Sequence, residues 1–247
     1  MNPRLDKLRK LRLTTEKKKS RLSIEVNALL DEQSLTNYLH ILSDHIEASN
    51  NKVAASLFVK RYAFLPVIYL YVMTVWNEKL DITYSNLSIQ TEDNEKQWLP
   101  KFYFHHLRME SLEEDRESWR IDCIKNLFKE HISPVMELLS HTTKVSKLIL
   151  WENIAIYIFW LYETVLSDDD IPVDIALRAK EDFYFLISEA TGNLFGDYDV
   201  NPLTRYYYEV SNDEVRKRGT CCYSYLTSNR EYCSTCPKSC KKRMATK

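Results

Sequence analysis

Glycine is nearly absent from this chain: only Gly192, Gly196 and Gly219 occur among 247 residues. Glycine supplies the tight turns of all-β folds, so its scarcity argues for helices. It also excludes a P-loop or dinucleotide fingerprint, since no glycine-rich backbone cradle for phosphates can be built. A net charge of −1 points to no polyanionic partner. Long hydrophobic runs are missing too. Leu65–Trp76 is too short to span a bilayer, and Leu148–Tyr162 is interrupted by Glu152 and Asn153. The charged first residues are not followed by a continuous apolar stretch, as a secretory leader would require. These absences lead to the expectation of a cytoplasmic protein without stable membrane insertion.

What is present is mostly helical pattern. With 45% hydrophobic residues, the chain can bury one sizeable core with a small appendage. Leu35, Tyr38, Leu39, Leu42 and Ile46 form one helical stripe, and Cys123, Ile124, Leu127, Phe128, His131 and Ile132 form another. Val53–Trp76 reads as a longer helix, kinked at Pro66. Ser111 is the expected N-cap of a helix with Glu113, Glu114 and Asp115 in its first turn. Leu148–Leu166 is apolar nearly all round, as suits the middle of a bundle. A further helix starts after Ser167–Asp170 and Pro172 and stops at Gly192. Between the helices, Leu80, Ile82 and Tyr84, then Phe102 and Phe104, alternate with polar neighbours around the polar stretch Thr91–Lys96, which predicts a hairpin or small antiparallel sheet. The fold class expected is α+β, mostly helical. A helical body over 1–210, with a small β insert near 80–106, precedes a metal-binding segment over 211–247.

Residues 1–21 carry nine Lys or Arg against Asp6 and Glu16. We read them as a solvated basic helix or frayed tail rather than a contact for nucleic acid or a membrane surface.

Five of the six cysteines fall between 221 and 240. Cys221, Cys222, Cys233 and Cys236 are spaced C-C-x10-C-x2-C. In a reducing compartment such density points to metal rather than structural disulfides. Zinc and iron–sulfur centres both use four thiolates. Zinc usually draws on two C-x2–4-C knuckles, and adjacent cysteines chelate one small ion poorly. A two-iron cluster offers two metal corners and accommodates neighbouring thiolates with less strain. The spacing therefore favours iron–sulfur while leaving zinc and a redox switch open.

The C-C-x10-C-x2-C string resembles the tail of the FhuF family of siderophore-iron reductases. Leu150-Trp151-Glu152-Asn153 is similar to a Trp–x–Asn segment of that family, and Asn201-Pro202-Leu203 resembles its loop before the cluster. The resemblance implies a [2Fe–2S] cluster on Cys221, Cys222, Cys233 and Cys236, and one-electron reduction of ferric siderophores of hydroxamate or citrate–hydroxamate type. It also implies an external donor, a ferredoxin or reduced flavoprotein, since the chain shows no flavin or nicotinamide site. Cys240 departs from the pattern and is read as a spare thiol.

Cations flank the cysteines: Arg216, Lys217, Arg218, Arg230, Lys238, Lys241, Lys242 and Arg243. Arg216 and Arg218, directly before the first ligands, are the substrate-binding candidates. Glu152 is read as a carboxylate paired with a basic residue rather than a proton gate. Cys123 is an inert core thiol. Adjacent His105 and His106 point to opposite faces of a strand and share no site. Tyr206, Tyr207 and Tyr208 either line a cleft or pack the tail on the body. The competing functions are a non-enzymatic helical protein with a structural zinc tail and an electron carrier without its own substrate. A brown, visibly absorbing protein excludes the first, and a pocket beside the cluster argues against the second.

Overall fold

A computed structural model describes residues 3–92, 97–112, 115–210, 215–228 and 230–239. Cys240, Lys241, Lys242 and Arg243, together with Glu113, Glu114 and 93–96, lie outside the described residues. The fold is α+β and mostly helical, as the sequence predicts.

The helices begin where short polar side chains can satisfy the first free backbone N–H groups. Asp31 caps α2 (Glu32–His45), Asn50 caps α3 (Asn51–Tyr62) and Ser146 caps α7 (Lys147–Trp160). The long helix expected over 53–76 is two helices, α3 and α4 (Phe64–Trp76), which part at Ala63. Pro66 explains the position of the break: it has no N–H to donate to the carbonyl four residues back, that of Tyr62. Ser111 does not cap a helix. It pairs with Glu78 in a strand, and Asp115 caps α5 (Arg116–Lys125) by accepting from the Ser118 N–H at 3.1 Å. The chain continues through α6 (Ser133–Thr143) and, after α7, to α8 (Val173–Tyr184). Wider π-type turns extend α5, α7 and α8 over Asn126–Ile132, Leu161–Val165 and Phe185–Glu189.

The sheet is more elaborate than the predicted hairpin. Its four strands run in the order β1 (Leu13–Thr14), β5 (Lys101–Phe104), β4 (Leu87–Gln90), β2 (Ile24–Glu25). β4 pairs antiparallel with both β2 and β5, with Leu87 opposite Phe104 and Ile89 opposite Phe102 across β4 and β5. β1 joins in parallel, so the sheet is mixed. A second ribbon pairs β3 (Glu78–Leu80) with β6 (Met109–Ser111). The two outer strands have two residues each, too few to show a period of two in the sequence.

The basic N-terminal segment is not a frayed tail. Helix α1 (Pro3–Lys10) buries Leu8, and the chain then buries Leu11 and Leu13 as it enters β1. Several of its cations are paired at the surface: Arg4 with Glu78, Arg9 with Asp6 and Lys18 with Glu16 and Glu92.

Helices α3, α4 and α7 form the centre, with α2, α6 and α8 packed around them. Phe58, Tyr69, Phe128, Trp151, Phe159 and Phe195 are fully buried there. The windows of Asn51–Trp76 and Lys147–Val165 that are long and apolar enough to cross a membrane are 83% and 61% buried inside this fold.

His131 is buried between the rings of Tyr62 and Tyr84, with Nε2 2.7 Å from the Tyr62 hydroxyl. Burial pushes its pKa down to about 3. The unfolded chain binds a proton at this residue below about pH 6.5, and the folded chain does not. His131 therefore contributes stability fully above pH 6.5 and loses it as pH falls. Urea denaturation between pH 6.5 and 5 is expected to show stability falling by up to about 1.4 kcal/mol per pH unit from this group. His131→Gln is expected to remove that component. An unchanged slope in the variant would show that another group carries it.

Candidate metal centre

The tail is fastened to the body by a carboxylate in the middle of an apolar helix. Glu152 lies on α7 and is 2% exposed. Its Oε1 accepts from the Gly219 N–H at 2.6 Å, and its Oε2 from the Thr220 N–H at 2.8 Å and from the Thr220 hydroxyl. Arg218 Nε lies 3.6 Å from the same oxygen. The expected pairing with a basic residue is thus present, but backbone amides immediately before Cys221 are the main partners. A buried carboxylate with three donors and a cation is compensated, which a lone buried charge is not.

The next residue on α7 extends the fastening. Asn153 Nδ2 donates to the Ser56 carbonyl at 2.8 Å, and the Ser56 hydroxyl donates to the Cys222 carbonyl at 3.0 Å. Farther along, the Leu226 carbonyl accepts from Ser49 N–H and the Ile46 carbonyl from Ser228 N–H, both at the α2–α3 junction. Arg218 N–H closes the far side on the Thr235 carbonyl at 3.0 Å.

These contacts bring Cys222 and Cys233 together. Tyr223 adopts a left-handed backbone (φ 65°), turning the chain sharply after the Cys221–Cys222 pair. Its N–H points to Cys221 Sγ at 3.4 Å. Cys222 Sγ lies 3.5 Å from Cys233 Sγ, and neither is in a disulfide. Two thiolates on one tetrahedral metal with bonds of about 2.3 Å are about 3.8 Å apart, so this pair is close to ligand spacing. Cys222 and Cys236 are buried, whereas Cys221 and Cys233 are partly exposed. The Cys222 thiol donates to Cys233, which favours the Cys233 thiolate. Lys60 and Arg218 add to that effect, so the Cys233 thiol is held below its ordinary pKa. The same hydrogen bond, and then burial, push Cys222 up.

The surroundings suit a thiolate-bound cluster. Lys60 Nζ is 3.7 Å from Cys222 Sγ. Arg218 Nη2 is buried and has no hydrogen-bond partner among the described residues, and the guanidinium charge favours the thiolate forms of Cys222 and Cys233. Among the described residues, no group of three Cys, His, Asp or Glu side chains is placed to hold a metal ion, and the sulfurs seen in contact are those of Cys222 and Cys233.

Beside the cysteines opens a cavity of about 1140 Å³ with Cys233 in its wall. Phe64, Tyr157, Trp160 and Tyr207 supply aromatic surface, and Lys60, Arg216 and Arg218 also line it. The two arginines predicted as substrate ligands are at this cavity, but both are buried and partnered. Arg216 sits between Phe159, Tyr207 and Tyr208 and pairs with Glu163 at 2.5 Å. Arg218 pairs with Glu152 as described. Tyr206 and Tyr208 serve packing: their hydroxyls donate to the carbonyls of Leu148 and Lys217. Tyr207 alone of the three lines the cavity. Cys123 is buried away from the tail, and burial pushes its thiol up to about 12. His105 bonds Glu25 at 2.7 Å, while the His106 backbone N–H donates to Asn86. The sequence reading missed Lys60, Ser56 and Glu163, which sit in ordinary helical surroundings with no spacing signal.

Fold and site define a mostly helical protein whose cysteine-bearing tail is clamped beside a ligand-sized cavity. Residues 56–213 match the family described as ferric iron reductase FhuF-like transporter, and residues 218–238 match the FhuF 2Fe-2S C-terminal domain. The chain belongs to this FhuF-like family, and its cofactor is a [2Fe–2S] cluster. No curated protein and no solved structure matches the chain.

Replacing Cys221, Cys222, Cys233 or Cys236 singly by Ser is expected to abolish or distort the visible spectrum and lower the iron content. Cys123→Ser and Cys240→Ser are expected to leave both near the parent. Normal iron and an unchanged spectrum in Cys222→Ser would remove that residue from the ligand set.

Proposed function

We propose that this chain is a cytoplasmic one-electron reductase of ferric siderophores, with Cys221, Cys222, Cys233 and Cys236 as cluster ligands. The observation that carries the reading is the cavity of about 1140 Å³ with Cys233 in its wall. An electron carrier without a substrate of its own needs no such space.

When bound, the [2Fe–2S] cluster supplies one electron per turnover. The chelated Fe(III) takes up that electron and becomes Fe(II). Ferric ion is hard and highly charged and is held tightly by hydroxamate and carboxylate oxygens. Ferrous ion is held less tightly by the same donors. Release therefore needs no bond of the chelator to be cut. One electron must then enter from outside, and a ferredoxin or reduced flavoprotein is the donor class proposed. Exposed Lys217, Arg230 and Lys238 around the cysteine loop suit an acidic donor surface.

The cavity's charges favour a substrate of low net charge. Arg216 and Arg218 are offset by Glu163 and Glu152, which leaves Lys60 as the lining cation without a carboxylate partner among the described residues. A neutral ferric tris-hydroxamate, or a mixed citrate–hydroxamate, meets aromatic walls, the Lys60 ammonium and the Glu209 carboxylate. A highly anionic tris-catecholate meets too little positive charge and also holds Fe(III) more tightly. Burial of both long apolar helices inside the fold supports a protein that is not inserted in a membrane.

The test is anaerobic mixing of the reduced protein with ferric chelates while a chromophore traps Fe(II). One Fe(II) per reduced chain is expected, fastest with hydroxamate and citrate–hydroxamate chelates and slowest with intact catecholates. Cluster reoxidation by none of them would overturn the reductase reading in favour of the electron carrier.

A further inference from the structure

Lys60 stands one helical turn after Ser56 on α3. Ser56 holds the Cys222 carbonyl, and Lys60 reaches the same residue's sulfur at 3.7 Å. The Lys60 side chain also forms part of the cavity wall that contains Cys233. Its situation differs from that of the other two lining cations. Arg216 and Arg218 are each within ion-pair distance of a carboxylate. No carboxylate is within that distance of Lys60 among the described residues; the contact it makes is with sulfur. Lys60 is half-buried, so its ammonium is only partly hydrated and still has donors to give.

We propose that Lys60 is a cation shared between the cluster thiolates and the oxygen donors of a chelate in the cavity, so that filling the cavity lowers the reduction potential of the cluster. The proposal rests on the reading that the cavity receives the ferric chelate. A fixed positive charge beside a thiolate favours the more negative, reduced form. An ammonium carries three donors on a flexible stem. Hydroxamate or carboxylate oxygens that draw it into the cavity take that support from the sulfurs. The protein then becomes a stronger reductant only with its substrate in place. Linkage requires the reverse as well: the oxidised protein binds the chelate more tightly than the reduced protein by the same factor. Lys60 is on this account a positioning and tuning residue.

Spectroelectrochemical titration tests this in the full-length, cluster-loaded protein. Potentials are measured with and without a gallium(III) tris-hydroxamate, which has the shape and charge of the ferric chelate but accepts no electron in this range. Lys60→Met is expected to keep its iron content and spectrum while its reduction equilibrium falls about tenfold, or 59 mV for one electron. Lys60→Arg is expected to stay near the parent. If Lys60→Met fails to load iron, Lys60→Gln, which keeps a donor but no charge, is titrated in its place. The gallium chelate is expected to lower the parent potential and to leave that of the uncharged variant unmoved. Equal potentials in parent and uncharged variant overturn the proposal, as does an equal chelate-induced shift in both. Fluorescence of the cavity tryptophan reports binding separately. A chelate that binds neither protein defeats the cavity reading and the shared contact with it. The Lys60→Met potential still decides whether Lys60 acts on the cluster.

Discussion

The arrangement of the tail depends on one buried carboxylate. Glu152 gives its two oxygens to the amides of Gly219 and Thr220 and to the Thr220 hydroxyl. That fixes the backbone one residue ahead of the first cysteine. A carboxylate on an apolar helix is costly unless its charge is answered. The chain answers it with the tail itself and with Arg218, so the helix and the tail each satisfy a polar need of the other. The rest follows from this anchor. The Cys222 carbonyl reaches Ser56, its sulfur meets Lys60 and Cys233, and the paired thiols come to rest at the edge of the cavity.

Two of the three cations that line that cavity are paired with carboxylates. The guanidinium of Arg216, enclosed by aromatic rings, is offset by Glu163 on the π-type turn that follows α7. Arg218 is divided between Glu152 and the Thr220 carbonyl, with its Nη2 unpartnered among the described residues. Two of the cations that look in sequence like an exposed basic flank are therefore interior groups that join tail to body. Lys217, Arg230 and Lys238 remain outside, so the tail presents one basic surface to solvent and a nearly balanced one to the cavity.

The sequence made the helices legible wherever an apolar stripe met a capping side chain. It singled out the four cysteines by their density and spacing, and of these the structure places Cys222 and Cys233 in contact. Other features were hidden for physical reasons. Strands of two residues such as Leu13–Thr14 and Ile24–Glu25 are held by their partners and carry no periodicity of their own. The basic segment before them looked solvated because charge dominates its composition, yet three leucines suffice to dock it. Ser111 was misread as a cap because a serine before an acidic run suits a strand end as well as a helix start. Glu152 stood out as an anomaly in an apolar helix, but its partners are backbone groups, which no residue pattern reveals. Lys60 gave no signal, since a lysine on a helix is ordinarily solvated.

The central claim is that Glu152 holds the cysteine loop in the shape that binds the cluster. Three hydrogen bonds to a charged acceptor are at stake, each worth about 1.5–3 kcal/mol. The most direct measurement compares iron per chain and visible absorbance, together with far-ultraviolet circular dichroism, in the parent and in Glu152→Ala. The account predicts that the helical signal survives while iron and visible absorbance fall by about tenfold or more, a change that needs only about 1.4 kcal/mol. A folded Glu152→Ala protein with full iron and an unaltered spectrum would contradict it.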